Sequence, residues 1–503
     1  MLVLGVLGRI LITRLAAGSA VDQHYWFLAA KAYREQRRLP VKIKDKFLLE
    51  DEAQAYPPLF GLLLARIAGS KMEVYLTPIL GILEFFILFI FLFILDIPLG
   101  MIVLALGIYA TAPVQVVYNT QLTPRILGDL FLFLVMMFQV LASVVWVSPE
   151  AQWISWVLSA FFVAMVVMSH KMTLQIYLVV LPFWWFVLGA WEVAAATLGG
   201  YVFYTAIVGI KFAKYQMRAH WDIVTFWNKN WPNLGAHQFN HSPLYGNPSM
   251  DRSLCFHAPG WNGAYKHLRT VVSYLPIIFI LPICSYFSGV WPPSWTLVWF
   301  SVVCIWSLVT LLLPSFKCWG GGHLYVFNLV IPACVYIAYL PQTLEVGLYI
   351  TLGCILTLIS LVYAGNIVKK RPFAIDANFD RLISSINNIP KANFAVFPTQ
   401  IAERVAQQTH HAVLWGGHGF GFNRLEGFWP VLTQPLSVCF RRYDVSWVLW
   451  DSEFWPQGKM QMSSEGLIHK SEVRGFERWC LAPIKTSNAQ IDLSSEATVN
   501  IVT

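Results

Sequence analysis

Charge is what this chain of 503 residues has least of: 12% of its residues are Asp, Glu, Lys or Arg, about half of the roughly 25% found in an ordinary soluble domain. The shortage is uneven. Charge collects at about 21–72, about 211–270 and from 366 onward, and long apolar runs fill the rest. A soluble core has no need of apolar runs of about 20 residues, whereas a bilayer does, because every backbone polar group must be satisfied within the segment. A large soluble enzyme is thereby excluded. Closely spaced cysteines are lacking too. There are eight cysteines and no C-x-x-C pair, which argues against a zinc or redox centre. Cys284, Cys304, Cys334 and Cys354 lie in apolar runs and read as small buried hydrophobes. Cys255 and Cys318 lie in loops, and Cys439 and Cys480 form a candidate disulfide of the tail, should it face an oxidising compartment. No internal repeat is visible, so the inverted-repeat pattern of many secondary transporters is missing. The N-terminus has neither a basic n-region nor a small-residue cleavage site and does not read as a signal peptide.

What is present is a series of about eleven apolar spans, at roughly 2–20, 74–96, 98–115, 127–148, 153–169, 173–190, 193–211, 270–288, 294–313, 325–341 and 346–365. Arg9 and Arg14 interrupt the first, which is either a tilted helix with snorkelling arginines or a span whose beginning is missing from this chain. Several linkers are only a few residues long: Asp96-Ile97-Pro98, Ser148-Pro149-Glu150, Gly189-Ala190-Trp191-Glu192, Trp291-Pro292-Pro293 and Pro341-Gln342. Counted alternately, all of these fall on one face. The opposite face receives the loop 21–73, the loop 116–126, the Ser169-His170-Lys171 turn, the loop 212–269, the loop 318–323 and the tail. One face is bare and the other carries the polar machinery. A pore or carrier needs access from both faces, so the asymmetry favours chemistry on one. The loaded face also holds Lys31, Arg34, Arg37, Arg38, Lys42, Lys44 and Lys46, and the positive-inside rule taken literally would turn it toward the cytoplasm.

The net charge is +8 and the pI about 9.0. The basic residues sit beside spans, which points to anionic headgroups or a phosphorylated lipid rather than to nucleic acid. The tail, about 366–503, carries a strand pattern at 393–398, an amphipathic helix at 400–407 with Ile401, Val405 and Ala406 on one face, a second strand at 412–415 and a third at 445–450. Strand–helix–strand implies a small α/β domain. His410, His411 and His418 raise the question of a metal, with Glu426 beyond them, but the histidines straddle a strand and their directions are open.

The residues able to carry chemistry cluster on the loaded face. Asp22 opens the segment Asp22-Gln23-His24-Tyr25-Trp26. It reads either as the cap of a helix starting at Gln23 or as a general base for an acceptor hydroxyl. His24 beside it is a weak metal-ligand candidate or a hydrogen-bonded surface histidine. Tyr56-Pro57-Pro58 follows in the same loop. Arg125 sits immediately before an apolar run, placed to grip a lipid phosphate or to snorkel at a helix end. His170 and Lys171 form the next turn. Lys317 and His323 flank Gly320-Gly321-Gly322, with Tyr325 just beyond; that stretch reads as a phosphate cradle or a flexible hairpin, without Walker spacing. Glu84 falls in the middle of a span, where a carboxylate is a functional candidate by default.

The order of these features resembles the GT-C superfamily of integral membrane glycosyltransferases, which use polyprenyl-phosphate-linked sugars. The similar parts are Asp22 just beyond the first span, the long first loop with Tyr56-Pro57-Pro58, the Thr123-Pro124-Arg125 turn and the late His323-Leu324-Tyr325. The resemblance covers about 1–365, and the tail looks like the extracytoplasmic domain that many such enzymes add. It implies a hexosyl- or pentosyltransferase of cell-envelope glycan biosynthesis with Asp22 as base in an inverting displacement. Polyprenyl phosphate would leave, stabilised by Arg125, His170, Lys171, Lys317 and His323, with His24, Tyr56 and Tyr325 at the substrate. The acceptor would be a glycan, lipid or protein. No Asp-x-Asp is present, so a divalent metal is not indicated. The implied orientation, tail extracytoplasmic in a bacterial inner membrane, runs against the charge bias; long loops cross regardless of charge, and a substrate phosphate draws basic residues. Asn240-His241-Ser242 is the only sequon with an allowed middle residue. The competing readings are a transporter or flippase of lipid-linked sugars, which would string polar residues through its spans, a non-catalytic scaffold, which would tolerate loss of Asp22, and a lipid-glycan polymerase or ligase.

Overall fold

In the computed structural model, the structure describes residues 22–43, 45–49, 56–67, 69, 72–119, 121–234, 260–369, 377–416, 427–428 and 432–485. The span at 2–20, Lys44, Asn240-His241-Ser242, Cys255, His418 and Glu426 lie outside them. The chain enters through α1 (Gln23–Gln36) and α2 (Leu59–Ile67), then crosses through α3 (Leu76–Ile94) and α4 (Leu99–Thr111), which continues as α5 (Pro113–Asn119). There follow α6 (Arg125–Val140), α7 (Pro149–Ser169), α8 (Lys171–Leu188), α9 (Glu192–Val208), α10 (Ile210–Leu234), α11 (Gly260–Tyr274), α12 (Ile280–Ser288), α13 (Ser294–Leu312), α14 (Val330–Ala338) and α15 (Leu344–Lys369). Among the described residues, 6 helices are long and apolar enough to cross a membrane, or up to 9 if each bent pair is one span.

Three spans expected to be straight are bent. The run 98–115 breaks by 53° between α4 and α5, 193–211 by 114° between α9 and α10, and 270–288 by 103° after α11. Apolar composition specifies that a segment is buried in lipid, not its direction. The direction is set by breakers: Pro113 and Pro276 lack the N–H a continuous helix needs, and Gly209 turns the chain at φ 81, where a side chain is strained. The run 325–341 is also altered. It begins as a 3-10 turn over Gly322–Leu329, and α14 behind it is buried along its whole length, so it lies inside the bundle and not against lipid.

The tail forms a five-stranded sheet from β1 (Asn393–Phe397), β2 (Ala412–Val413), β3 (Trp447–Asp451), β4 (Arg474–Phe476) and β5 (Trp479–Pro483), in the order β2-β1-β3-β5-β4. β1 runs parallel to β2 and β3, whereas β5 is antiparallel to β3 and β4. Helices α16 (Ala377–Asn387), α17 (Ala402–Gln408), α18 (Leu436–Arg442) and α19 (Gly458–Ser464) surround it. The strand alternation of period 2 sorts side chains into two cores. Phe394, Val396, Leu449, Trp479 and Leu481 join the core that is continuous with the membrane helices. Ala395, Phe397, Val448, Trp450 and Ala482 face an outer core that also takes in Leu49 of the first loop and Phe226 of α10. The sheet is therefore packed into the rest of the chain on both faces. Cys439 and Cys480 are free thiols, so the expected disulfide is absent. Both pack in the outer core, where burial pushes the thiols up, Cys439 to about 12.

Histidines staple this region in their neutral form. The Nε2 of His411 lies 2.9 Å from the Ile386 carbonyl and its Nδ1 accepts from the Ala392 N–H at 3.1 Å. Because the carbonyl can only accept, Nε2 carries the single proton. His410 likewise points its Nε2 at the Ile389 carbonyl, 3.1 Å away, so both histidines are engaged by backbone and not by a metal. Burial lowers His411, and burial together with Arg404 lowers His24 to about 4 against the pull of its Gln407 hydrogen bond. A base held neutral by the fold binds fewer protons than its unfolded form below the ordinary value of 6.5. Stability from both histidines is therefore full above pH 6.5 and falls as pH drops below it, for His24 down to about 4. Amide exchange in 393–413 is expected to be faster at pH 5.5 than at 7.5 after correction for intrinsic rates; equal protection would contradict these assignments.

Candidate active site

Asp22 occupies the N-cap position of α1, yet its backbone is helical (φ −67, ψ −20) and its side chain makes no capping bond. A capping Asp has extended backbone and accepts from the second or third N–H. The cap alternative is thus not what the structure holds. One turn on, Trp26 packs edge-on against Tyr56 and Phe60, with ring centroids 5.2 and 5.0 Å away. Tyr56 is the meeting point. The ammonium of Lys171, first residue of α8, lies 5.3 Å from its ring centroid. Burial raises its phenol, with Arg125 drawing it down and Asp22 pushing it up. Residues from α1, the first loop, α6 and α8 converge here.

Arg125 begins α6 behind Pro124. Its guanidinium covers the ring of Tyr118 at 4.9 Å and donates to the sulfur of Met172, at 3.8 Å. Both cations are half-buried, and among the described residues neither forms an ion pair. Two partly desolvated cations without a carboxylate favour an anion between or beside them.

Other expected residues fall elsewhere. His24 is buried on the far side of α1 from Asp22, its Nδ1 3.1 Å from Gln407 Oε1; residues two apart on a helix do not share a face. His170 is the N-cap of α8: its Nδ1 accepts from the Thr173 N–H at 3.4 Å and lies 3.0 Å from the Thr173 hydroxyl. Burial first, then Arg125 and Lys171, holds it well below its ordinary value, hence neutral. Tyr325 is fully buried, with its hydroxyl 2.6 Å from Gln175 Oε1 and 2.7 Å from the Trp319 carbonyl, so it ties the glycine turn to α8 instead of facing a ligand. That turn is no open cradle, because a Cβ on Gly322 would lie 1.9 Å from the Ser307 carbonyl. Its glycine admits the backbone of α13. Lys317 is half-buried and lowered by that burial. His323 packs against Tyr274 at 6.4 Å, and Tyr274 against Tyr118 at 6.3 Å, which puts two aromatic rings between His323 and Arg125. Glu84 is fully buried and accepts from the Tyr109 hydroxyl.

Asp129 escaped the sequence reading. It lies one turn beyond Arg125, is 2% exposed, and accepts from Asn328 Nδ2 at 2.7 Å. Its second oxygen is buried without a partner among the described residues. The Arg-x-x-x-Asp spacing on one helix face was the available signal. Asn328→Ala would strand the carboxylate, a cost of about 1–3 kcal/mol, seen as a lower melting temperature in detergent; an unchanged one would mean the pair is inert.

A small space bordered by Tyr56, Pro57, Lys171 and Ile223 adjoins a larger cavity, and Val167, Leu174, Gln216 and His220 line both. The larger, of about 380 Å³, is otherwise walled mainly by apolar and aromatic side chains, among them Leu178, Tyr201, Met217, Trp221 and Trp306. His220 Nε2 accepts from Gln175 Nε2 at 2.9 Å. Lys171, beside Tyr56, therefore stands where the small space meets an apolar chamber.

No family model matches the chain, and no curated protein matches it by sequence. Solved structures do match by shape. Archaeal oligosaccharyltransferase AglB from Archaeoglobus fulgidus, in complex with an inhibitory peptide and a dolichol-phosphate, superposes with a TM-score of 0.61 at 11% identity, over 90% of this chain and 69% of that one. The apo form of the Archaeoglobus fulgidus oligosaccharyltransferase gives 0.59 at 11% identity, over 90% and 69%. ArnT from Cupriavidus metallidurans bound to undecaprenyl phosphate gives 0.54 at 10% identity, over 96% and 97%. The chain has the GT-C fold.

Proposed function

We propose that this protein is an integral membrane glycosyltransferase that moves a sugar from a polyprenyl-phosphate-linked donor to an acceptor. The observation that carries the reading is the Lys171 ammonium over the Tyr56 ring, both bordering the small space that adjoins the apolar cavity, with Arg125 and Asp22 near enough to act on the Tyr56 phenol and, among the described residues, no ion-pair partner for either cation. A prenyl phosphate has that chemistry, an anionic head on a hydrocarbon chain. The occupants of two structures of the same fold, dolichol-phosphate in AglB and undecaprenyl phosphate in ArnT, support it.

In this mechanism the Asp22 carboxylate takes the proton of the acceptor nucleophile as that atom attacks the anomeric carbon. The anomeric C–O bond breaks, its electron pair leaves on polyprenyl phosphate, and a single displacement inverts the centre. Arg125 and Lys171 stabilise the charge growing on the leaving phosphate. The cavity between α8 and α10 receives the first part of the prenyl chain. We place the loaded face and the tail on the extracytoplasmic side of a bacterial inner membrane, where the acceptor is a glycan, lipid or protein and the sugar a hexose or pentose. The test is release of polyprenyl phosphate by the purified protein from a panel of polyprenyl-phospho-sugars, with acceptors supplied. Release that requires one donor establishes the transferase. Absence of release from every donor moves the weight to a flippase or scaffold.

A further inference from the structure

The first turn of α1 is held between two walls. On one side Trp26, one turn beyond Asp22, meets Tyr56 and Phe60. On the other side His24 meets α17 of the tail. Gln23 Nε2 faces His24 Nε2 at 3.4 Å, and His24 Nδ1 faces Gln407 Oε1 at 3.1 Å. The amide nitrogen donates and the amide oxygen accepts, so the ring is neutral with its proton on Nδ1, directed at Gln407. The first loop binds the same part of the tail. Phe47 pairs in parallel with Val413 at the edge of the sheet. Val413 N–H donates to the Lys46 carbonyl at 2.8 Å, and Leu48 and Leu49 N–H donate to the Val413 and Leu414 carbonyls at 2.9 and 3.1 Å. Lys46 Nζ also donates to the Thr409 carbonyl at 2.6 Å. Phe47 and Leu49 are buried, one in each core. The sheet is thus extended by a strand from the loop that begins at Asp22. Asp22 is the N-cap residue of α1, so its Cα moves with the rotation and height of that helix, and the tail holds one side of it.

We propose that His24 and Gln407 are positioning residues for Asp22, so that the C-terminal sheet is a working part of the transfer site; this rests on the reading of Asp22 as the base. Neither residue touches the reacting atoms. Their hydrogen bond sets the angle of the first turn of α1, and with it the reach of the carboxylate to the acceptor. Arg125 and Lys171 belong to α6 and α8 and do not depend on it. The prediction is therefore a split. Q407L, which keeps bulk and removes the acceptor atom, lowers turnover at saturating substrates about tenfold, because a sub-ångström displacement of a reacting group is costly. The donor KM stays at the wild-type value. Q407E, which keeps an oxygen at the same place, restores turnover to within about threefold of wild type. Wild-type turnover by Q407L, a raised donor KM at unchanged turnover, or equal loss in Q407E and Q407L would each overturn the role. If Q407L does not fold, Q407N withdraws the oxygen by one methylene and is judged the same way. Asp22→Asn run in parallel separates the two readings. An active Asp22→Asn removes the base itself, whereas an inactive one beside a fully active Q407L removes only the positioning role.

Discussion

Asp22→Asn is expected to lower polyprenyl phosphate release by about 10²–10⁴-fold, the usual worth of a positioned general base, while leaving the fold and donor affinity intact. The two roles open to this residue make opposite forecasts. A helix cap exchanged for Asn, which caps as well as Asp, would leave both stability and rate unchanged. A base lost to substitution costs rate alone. The Asp22 side chain makes no capping bond, which speaks against the cap, and Asn is of the same size. Melting temperature in detergent is therefore expected to match wild type while turnover collapses. Unchanged turnover would move the search for a base to other carboxylates of the bundle, with Asp129 the next residue on the same wall as Arg125.

Arg125→Ala is expected to lower kcat/KM by about 10²–10³-fold, the loss typical of one donor aimed at developing charge. Lys171→Met, which keeps the apolar stem and deletes the ammonium, is expected to act in the same direction and to weaken inhibition by free polyprenyl phosphate. Arg125→Lys should recover part of the loss only, because an ammonium cannot grip two phosphate oxygens in one plane. Stability should move the other way. Neither cation has an ion-pair partner among the described residues, so each is a partly desolvated charge without that compensation, and its removal should leave the melting temperature level or raise it. Full activity with a lowered melting temperature would make both residues structural and would remove the phosphate from this place.

Much of the architecture was legible in the chain. Runs such as 76–94 and 294–312 are apolar on every side, and helices of that kind belong in lipid or in a bundle core. The tail's strands at 393–397 and 447–451 were legible from their composition, and so was the helix between them. Asp22, Tyr56, Arg125 and Lys171 were singled out from chain order, and all stand at helix starts or in the loop before α2. The misplacements share one cause. His24, His170 and Tyr325 lie in the right stretches, but a side chain's direction depends on its neighbours. His24 turns to Gln407, His170 caps its own helix, and Tyr325 goes inward to Gln175.

By itself, the sequence determined that the chain is a bundle of membrane-spanning helices with a small α/β tail, because long apolar runs, breakers and period-2 strands are local properties of the polymer. Tertiary structure decided which charges meet. Arg125 and Lys171 are 46 positions apart, and only the packing of α6 against α8 brings both to Tyr56. It also decided that the tail is bound to the first loop. The pairing of Phe47 with Val413 spans most of the chain, and a contact of that separation forms only once the loop and the sheet edge, each incomplete alone, satisfy one another's backbone.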